Sequence, residues 1–138
     1  MDDWNHKESW YKNGDKFCVE IVKSKTCKVL YHGGDNLWCV YAYIYPEHQH
    51  FSRFSGESIW QDSAKILPMH GGASMLRWHF DKEGIPVSVQ VGADYDHIYD
   101  EDYRSCGTAE DAAPVFRDAQ ELFDWLESAN WSEPEDRD

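Results

Sequence analysis

The sequence predicts an α+β domain, in which a mainly antiparallel sheet of five or six strands is covered on one face by one C-terminal amphipathic helix. Apolar and alternating runs recur through the first two thirds of the chain, separated by turn-forming residues, and one stretch with helical spacing follows them. The 138 residues contain no low-complexity linker. We therefore expect residues 1–131 to form a single domain and residues 132–138 a frayed acidic tail.

The first strands are expected on either side of Asn13-Gly14, a dipeptide that favours the two-residue turn of a hairpin. Residues 8–12 precede this turn and residues 15–22 follow it, and both runs carry strand-forming side chains. A third run, residues 26–32, alternates in the same way after a polar turn. Together these runs predict the first part of an antiparallel sheet.

The run LWCVYAYIY at residues 37–45 is apolar or aromatic throughout. A strand of this composition is expected at the centre of the sheet, covered on both faces. Pro46 ends it, and residues 46–66 are expected to be irregular apart from a short helix around residues 58–66.

Residues 73–80 and 85–93 predict another hairpin, joined by a turn at DKEG. The His-Gly-Gly motif at residues 70–72 predicts a tight turn ahead of it, because glycine accepts positive φ. The same motif occurs at residues 32–34, again ahead of a strand. A turn motif that is used twice favours a structural role for His70 over a catalytic one.

The helix is expected over residues 108–128. Thr108 with Asp111 three residues later resembles a capping box, and apolar residues recur at helical spacing after it. Pro114 should mark a kink or restart near the beginning of this helix. The apolar face should pack on one face of the sheet.

The net charge of −13 is unevenly distributed along the chain. Residues 1–93 hold 11 acidic and 10 basic residues, whereas residues 94–138 hold 15 acidic and 3 basic residues, a net charge of −12. The sequence lacks the Lys and Arg clusters that bind phosphates, which argues against direct binding of nucleic acid. The charge favours a basic protein as the partner.

The opening sequence MDDWNHKESW is too acidic and polar for a signal peptide, and no apolar run is long enough to cross a bilayer. We therefore expect a cytoplasmic protein that does not bind membranes and keeps its four cysteines reduced. There is no CxxC pair, P-loop, dinucleotide fingerprint or nucleophile elbow. No cofactor and no metal ligand is predicted, and the oligomeric state stays open.

The acidic stretch GADYDHIYDED at residues 92–102 is the candidate binding site. It does not fit an EF-hand loop, which needs glycine at its sixth position. Tyrosine supplies contact area at interfaces, and dense carboxylates speed encounter with a basic groove. A solvated loop without a partner is the open alternative. The predicted partner-binding residues are Asp94, Tyr95, Asp96, Tyr99, Asp100, Glu101 and Asp102.

The seven histidines support a second hypothesis, a small metal- or histidine-dependent hydrolase. The pair His48-x-His50 would place both rings on one side of an extended segment, as some metal sites do. A catalytic site would need histidines and a carboxylate in one pocket. The best set for this is His70, His79, Asp94 and His97.

Four phrases of the sequence resemble small uncharacterised proteins that phages and mobile elements carry: WCVYAYIYPEH, LPMHGGASMLRWHF, VQVGADYDHIYDEDY and EDAAPVFRDAQELFDWL. The resemblance covers about residues 36–127 and brings no known activity with it. It implies an antagonist of host defence, a group rich in small acidic domains that act stoichiometrically. We therefore expect a non-enzymatic inhibitor of a basic, nucleic-acid-handling protein, of the anti-CRISPR or anti-restriction type. A toxin-neutralising immunity protein is not distinguished from this, because it would bind its toxin through the same attraction between acidic and basic surfaces.

Overall fold

A computed structural model describes residues 3–25, 36–97 and 99–128. The short helix α1 (Asp62–Lys65) lies within the range predicted for it, whereas α2 (Glu101–Arg104) was not predicted. In chain order the elements are β1 (Asn5–His6), β2 (Trp10–Gly14), β3 (Phe17–Lys25), β4 (Asn36–Ile44), a 3-10 turn (Phe51–Arg53), α1 (Asp62–Lys65), β5 (Met75–Phe80), β6 (Pro86–Asp94), α2 (Glu101–Arg104) and α3 (Ala113–Ser128).

Six strands form one sheet in the order β1-β2-β3-β4-β6-β5, and every neighbouring pair is antiparallel. Together with the C-terminal helix, this confirms the predicted α+β fold. The strand expected at residues 26–32 lies outside the described residues. The sixth strand is instead the short β1 at the edge of the sheet.

The first hairpin turns two residues later than predicted. Gly14 pairs with Phe17 across the hairpin, so Asp15 and Lys16 form the turn. Lys16 supplies the left-handed backbone with a φ of 73°. Gly14 stays within the strand, and a Cβ at that position would lie 2.2 Å from the ring of Phe17. The glycine therefore provides room for an aromatic ring, and it does not provide the turn.

The two faces of the sheet differ in burial. Alternate residues of β3, β4 and β6 are fully or almost fully buried on the face that α3 covers. On the opposite face Tyr41 and Tyr43 remain partly exposed, so the prediction that the central strand is covered on both faces is wrong. The ring of Tyr41 lies over Gly92, where a Cβ would come within 2.5 Å of it. Aromatic side chains thus shield this face themselves.

The hydrogen bond predicted at Thr108 forms, but it closes a turn and does not cap the C-terminal helix, which begins later than predicted. The backbone N–H of Asp111 donates to Thr108 Oγ1 at 3.1 Å, while residues 108–112 form a turn. Helix α3 begins at Ala113, with Pro114 in its first turn, where no amide donor is required. Its buried residues are Val115, Phe116, Ala119, Leu122, Phe123 and Leu126.

The sheet and α3 share one hydrophobic cluster, which extends from Trp4 to Leu126. The tail at residues 132–138 lies outside the described part of the chain. Among the helices that the structure describes, none combines the length and the apolar character needed to cross a bilayer.

Candidate functional site

Two loops meet at one end of the sheet. Because β5 and β6 are antiparallel neighbours, the loop before β5 and the loop after β6 leave the sheet at the same end. The backbone N–H of Ser74 donates to the carbonyl of Gly92 at 2.8 Å and extends this pairing into the loops. The topology therefore brings His70 and His97 together although they are distant in sequence.

The carboxylate of Asp100 lies between these two imidazoles. His70 Nε2 is 3.0 Å from both carboxylate oxygens, and His97 Nδ1 is 2.9 Å from Oδ2. The backbone N–H of His97 also donates to Oδ2, at 2.9 Å. We call His70, His97 and Asp100 the histidine–carboxylate cluster. One ligand-type atom from each residue lies within 4.8 Å of the other two.

The glycines of the His-Gly-Gly motif make this arrangement possible. Gly71 and Gly72 have φ values of 69° and 85°, which confirms the predicted tight turn. A Cβ at Gly71 would lie 2.8 Å from the ring of His97, so the glycine also allows the imidazole to approach. His70 does more than serve the turn, because it contacts Asp100. The second copy of the motif, at residues 32–34, lies outside the described residues.

Aromatic rings hold His70 in place. Its imidazole stacks on Tyr95 with the ring centroids 4.1 Å apart and the planes 12° from parallel. Tyr103 meets it edge to face at 5.8 Å. The hydroxyl of Tyr95 donates to Asp118 Oδ2 at 2.6 Å. Burial, together with this bond, raises the pKa of Tyr95, so its phenol remains a protonated donor.

Asp100 is ionised despite its burial. Only 5% of the residue is exposed, which by itself would raise the pKa of the carboxyl group. The hydrogen bonds from His97 and His70 outweigh this effect and hold the pKa of Asp100 below its usual value. The cluster therefore contains a fixed negative charge that both imidazoles face.

Three of the predicted partner-binding residues are internal, which corrects the expectation that the whole loop is a contact surface. Tyr95 is 1% exposed and Asp100 is bonded to the two histidines. Asp96 accepts a hydrogen bond from Arg104 Nε at 3.2 Å, and its side chain is 13% exposed. Their partners come from other segments, and those contacts turn the side chains inward.

The other predicted partner-binding residues are more exposed to solvent, as far as the structure describes them. Tyr99 is 90% exposed, and Asp102 is also exposed. Asp94 is partly exposed, and its carboxylate accepts the backbone N–H of Asp96 at 3.2 Å. The side chain of Glu101 lies outside the described part of the structure.

The predicted hydrolase set does not assemble as a unit. His79 lies at the other end of β5, with its Nε2 2.7 Å from Gln90 Oε1 on the sheet face opposite α3. Asp94 has Ser74 Oγ near its carboxylate at 3.5 Å. The structure joins only His70 and His97 of this set. It adds Asp100, which the sequence presents three residues after His97.

The pair His48-x-His50 is structural. Both residues are 3% exposed, and both use ring nitrogens on backbone groups. His48 Nε2 donates to the carbonyl of Leu126 at 2.9 Å, while its Nδ1 accepts the N–H of His50 at 3.0 Å. His50 Nε2 donates to the carbonyl of Ser63 at 2.9 Å. His48 thereby satisfies a carbonyl in the last turn of α3, which lacks a partner within the helix.

Carboxylates of α3 and its preceding turn lie beside the acidic loop. The Tyr95–Asp118 bond links the loop to α3, and Cys106 Sγ lies 3.4 Å and 3.2 Å from the carbonyls of Asp102 and Asp111. A shallow pocket of about 280 Å³ lies between the loop before β5 and α3. Its lining residues are Pro68, Met69, His70, Asp118 and Glu121. We define the acidic surface by its members, Tyr99, Asp102, Asp111, Asp118 and Glu121.

The sequence does not single out the helical members of this surface, Asp118 and Glu121, because helix carboxylates on a solvated face are common. The sequence does contain a signal for them, which is the excess of acidic residues in α3: Arg117 is the only cation of this helix beside four carboxylates.

A larger pocket of about 580 Å³ lies apart from the cluster. Its walls mix Trp4 and Trp10 with Lys23 and Glu110, so they do not single out one class of ligand.

No protein-family model, curated protein or solved structure matches this chain.

Proposed function

We propose that the protein is a non-enzymatic acidic binding protein that blocks a basic protein partner through its acidic surface. The observation that carries the proposal is the convergence of carboxylates from two segments, the loop after β6 and α3 with its preceding turn. This arrangement extends the uneven charge of the sequence, in which residues 94–138 hold a net charge of −12. A surface of this kind attracts Lys and Arg side chains over several ångströms.

Burial and the carboxylates of this region together raise the pKa values of two neighbouring side chains, Cys106 and Tyr103. Burial, followed by the nearby charges of Asp111 and Asp102, raises the pKa of the Cys106 thiol. Burial, followed by the charges of Asp118 and Asp100, raises the pKa of Tyr103, and Arg117 opposes this shift only in part. Asp102 of α2 and Asp111 of the turn before α3 thus act on the same thiol, which supports their belonging to one surface.

The partner in this proposal is a protein that handles nucleic acid, such as a nuclease or another defence effector. Such proteins have basic grooves that fit closely spaced carboxylates, and the exposed Tyr99 adds an amphipathic contact at the centre of the loop. Cys18, Cys39 and Cys106 are free thiols, in keeping with a reducing cytoplasm as the site of action. The proposal covers anti-defence inhibitors and immunity proteins alike.

The test uses two triple variants that remove the same charge from different places. The surface triple carries Asp102→Asn, Glu121→Gln and Asp124→Asn, in and beside the acidic surface. The control triple carries Glu47→Gln, Glu57→Gln and Glu83→Gln at exposed positions elsewhere. Calorimetric titration with a deca-lysine peptide should show about tenfold weaker binding for the surface triple, because exposed charge pairs contribute roughly 0.2–1 kcal/mol each.

The control triple should bind the peptide within about twofold of the wild-type protein. Binding of the wild type should weaken as salt is raised, since exposed charges are screened over roughly 8 Å at physiological ionic strength. Equal weakening in both triples would show that the peptide responds to total charge alone, and the proposed surface would be rejected.

A further inference from the structure

We infer that the histidine–carboxylate cluster is a binding site for a divalent transition-metal ion of the zinc type. Two imidazoles and a carboxylate form the donor set that zinc sites use, and imidazole also suits Co²⁺ and Ni²⁺. This proposal does not rest on the acidic surface proposed above. The main sequence prediction named no metal ligand, and the alternative hydrolase set contained His70 and His97 but not Asp100.

The positions of the donor atoms fit such an ion after a small expansion. His70 Nε2 and His97 Nδ1 lie 3.0 Å and 2.9 Å from oxygens of Asp100. Tetrahedral coordination with bonds of about 2.0–2.1 Å places donor atoms about 3.3–3.4 Å apart. Each imidazole–carboxylate pair therefore has to separate by only a few tenths of an ångström, which side-chain rotation supplies, and the two imidazoles already offer nitrogens within 4.8 Å of each other.

The groups around the cluster hold the donors in position. The backbone N–H of His97 and the carboxylate of Asp100 are hydrogen-bonded, and the N–H of Asp100 donates back to the His97 carbonyl at 2.9 Å. Arg104 also donates to that carbonyl, at 3.3 Å. The stacked Tyr95 fixes the ring of His70. Hydrogen bonds and ring contacts from residues around the ligands orient the ligand side chains, and they are typical of protein metal sites.

The site is open on one side. The side chains of His70 and His97 are 26% and 43% exposed, whereas that of Asp100 is 6% exposed. An ion can therefore enter from solvent along the histidine side. Three protein ligands leave one tetrahedral position for water, which is the pattern of zinc sites that exchange their fourth ligand.

The full-length protein, without an affinity tag and freed of metal by chelation, should bind one Zn²⁺ or Co²⁺ per chain. Calorimetry measures the zinc affinity, and the visible absorption of Co²⁺ reports the coordination geometry. Replacing His70 or His97 by Ala should weaken binding by more than the roughly 10–100-fold that loss of an outer contact costs. His79→Ala is the matched control and should leave the affinity unchanged, because His79 lies at the far end of β5 and bonds Gln90 instead of the cluster.

The His97→Ala variant should fold normally, because the ring of His97 is exposed, and circular dichroism verifies this. A loss of metal affinity in this variant can therefore be assigned to the missing ligand. The inference is overturned if the wild-type protein binds no stoichiometric metal. It is equally overturned if His70→Ala and His97→Ala bind as tightly as His79→Ala. In either case the cluster would be a hydrogen-bonded link between two loops.

Discussion

At the scale of single residues, the two neighbouring glycines of the loop before β5 are expected to behave differently. Gly71 and Gly72 both have positive φ, so alanine strains the backbone at either position by roughly 1 kcal/mol. At Gly71 the added Cβ also meets the ring of His97 at 2.8 Å, whereas at Gly72 no atom lies within 4 Å. Gly71→Ala should therefore displace His97, and Gly72→Ala should not.

The measurement for this pair is zinc affinity together with the free energy of unfolding. Gly71→Ala should lower the affinity at least about tenfold, in the range that loss of an orienting contact costs. Gly72→Ala should lower the free energy of unfolding and leave the zinc affinity unchanged. Equal zinc affinities in the two variants would mean that the approach of His97 to Gly71 has no bearing on the cluster.

The sequence predicted which residues are chemically notable in this region, but it did not predict where their side chains point. The stretch at residues 92–102 was correctly recognised as unusual, yet Tyr95, Asp96 and Asp100 face inward. Their partners are Asp118, Arg104 and His70, which lie 23, 8 and 30 residues away. Such contacts depend on how the elements dock, and no local pattern encodes them.

At the scale of secondary-structure elements, α3 packs on the sheet through a buried apolar face that includes Phe123. Phe123 is buried, packs on Phe17 with ring centroids 4.9 Å apart, and lies beneath Lys12 Nζ at 4.7 Å. Phe123→Ala should lower the free energy of unfolding by ~3–5 kcal/mol. Asp124→Ala, on the exposed side of the same turn, should change it by less than about 0.5 kcal/mol.

Denaturant unfolding of the two variants provides the comparison. A loss below ~1 kcal/mol for Phe123→Ala would mean that this face of α3 does not hold the helix on the sheet.

The link between α1 and the segment after β4, made by the His50 ring and the Ser63 carbonyl, should depend on pH. Burial, with the charges of Arg53 and His48, lowers the pKa of His50, so the folded protein keeps this imidazole neutral. The unfolded chain then binds more protons below its usual pKa of about 6.5, and stability falls on acidification. His50→Gln removes this contribution while keeping a donor for the Ser63 carbonyl.

The test is the free energy of unfolding at pH 7.5 and pH 5.5 in both proteins. The wild type should lose more stability between these two pH values than His50→Gln does. Identical losses would show that protonation of His50 is not linked to folding.

Element types were predicted more reliably than their boundaries. Alternation in β3 and helical spacing in α3 identify both elements, because a buried face imposes a period on the sequence. The turn at Asp15 and Lys16 was misplaced since Gly14 was taken as a turn residue, when it makes room for Phe17. The sequence predicts that both faces of β4 are covered by other elements. On one face its own tyrosine side chains shield the strand, so no second layer of structure is needed there.

At the scale of the whole molecule, the distribution of charge is the property that bears on function. The first 93 residues are nearly neutral and build most of the sheet, while the last third places its carboxylates around the loop after β6 and along α3. A protein that needed charge only for solubility could spread it evenly. The segregation therefore favours an interface, and the internal hydrogen bonds of Asp96 and Asp100 reduce its extent without removing it.

The most direct test of the central claim is to map where a cationic probe binds. Amide NMR shifts of the isotope-labelled protein are recorded during titration with deca-lysine. The acidic surface predicts that the largest changes cluster at residues 99, 102, 111, 118 and 121, and that they disappear at high salt. Changes of similar size at the distant residues 47, 57 and 83, or maximal changes there, would contradict it.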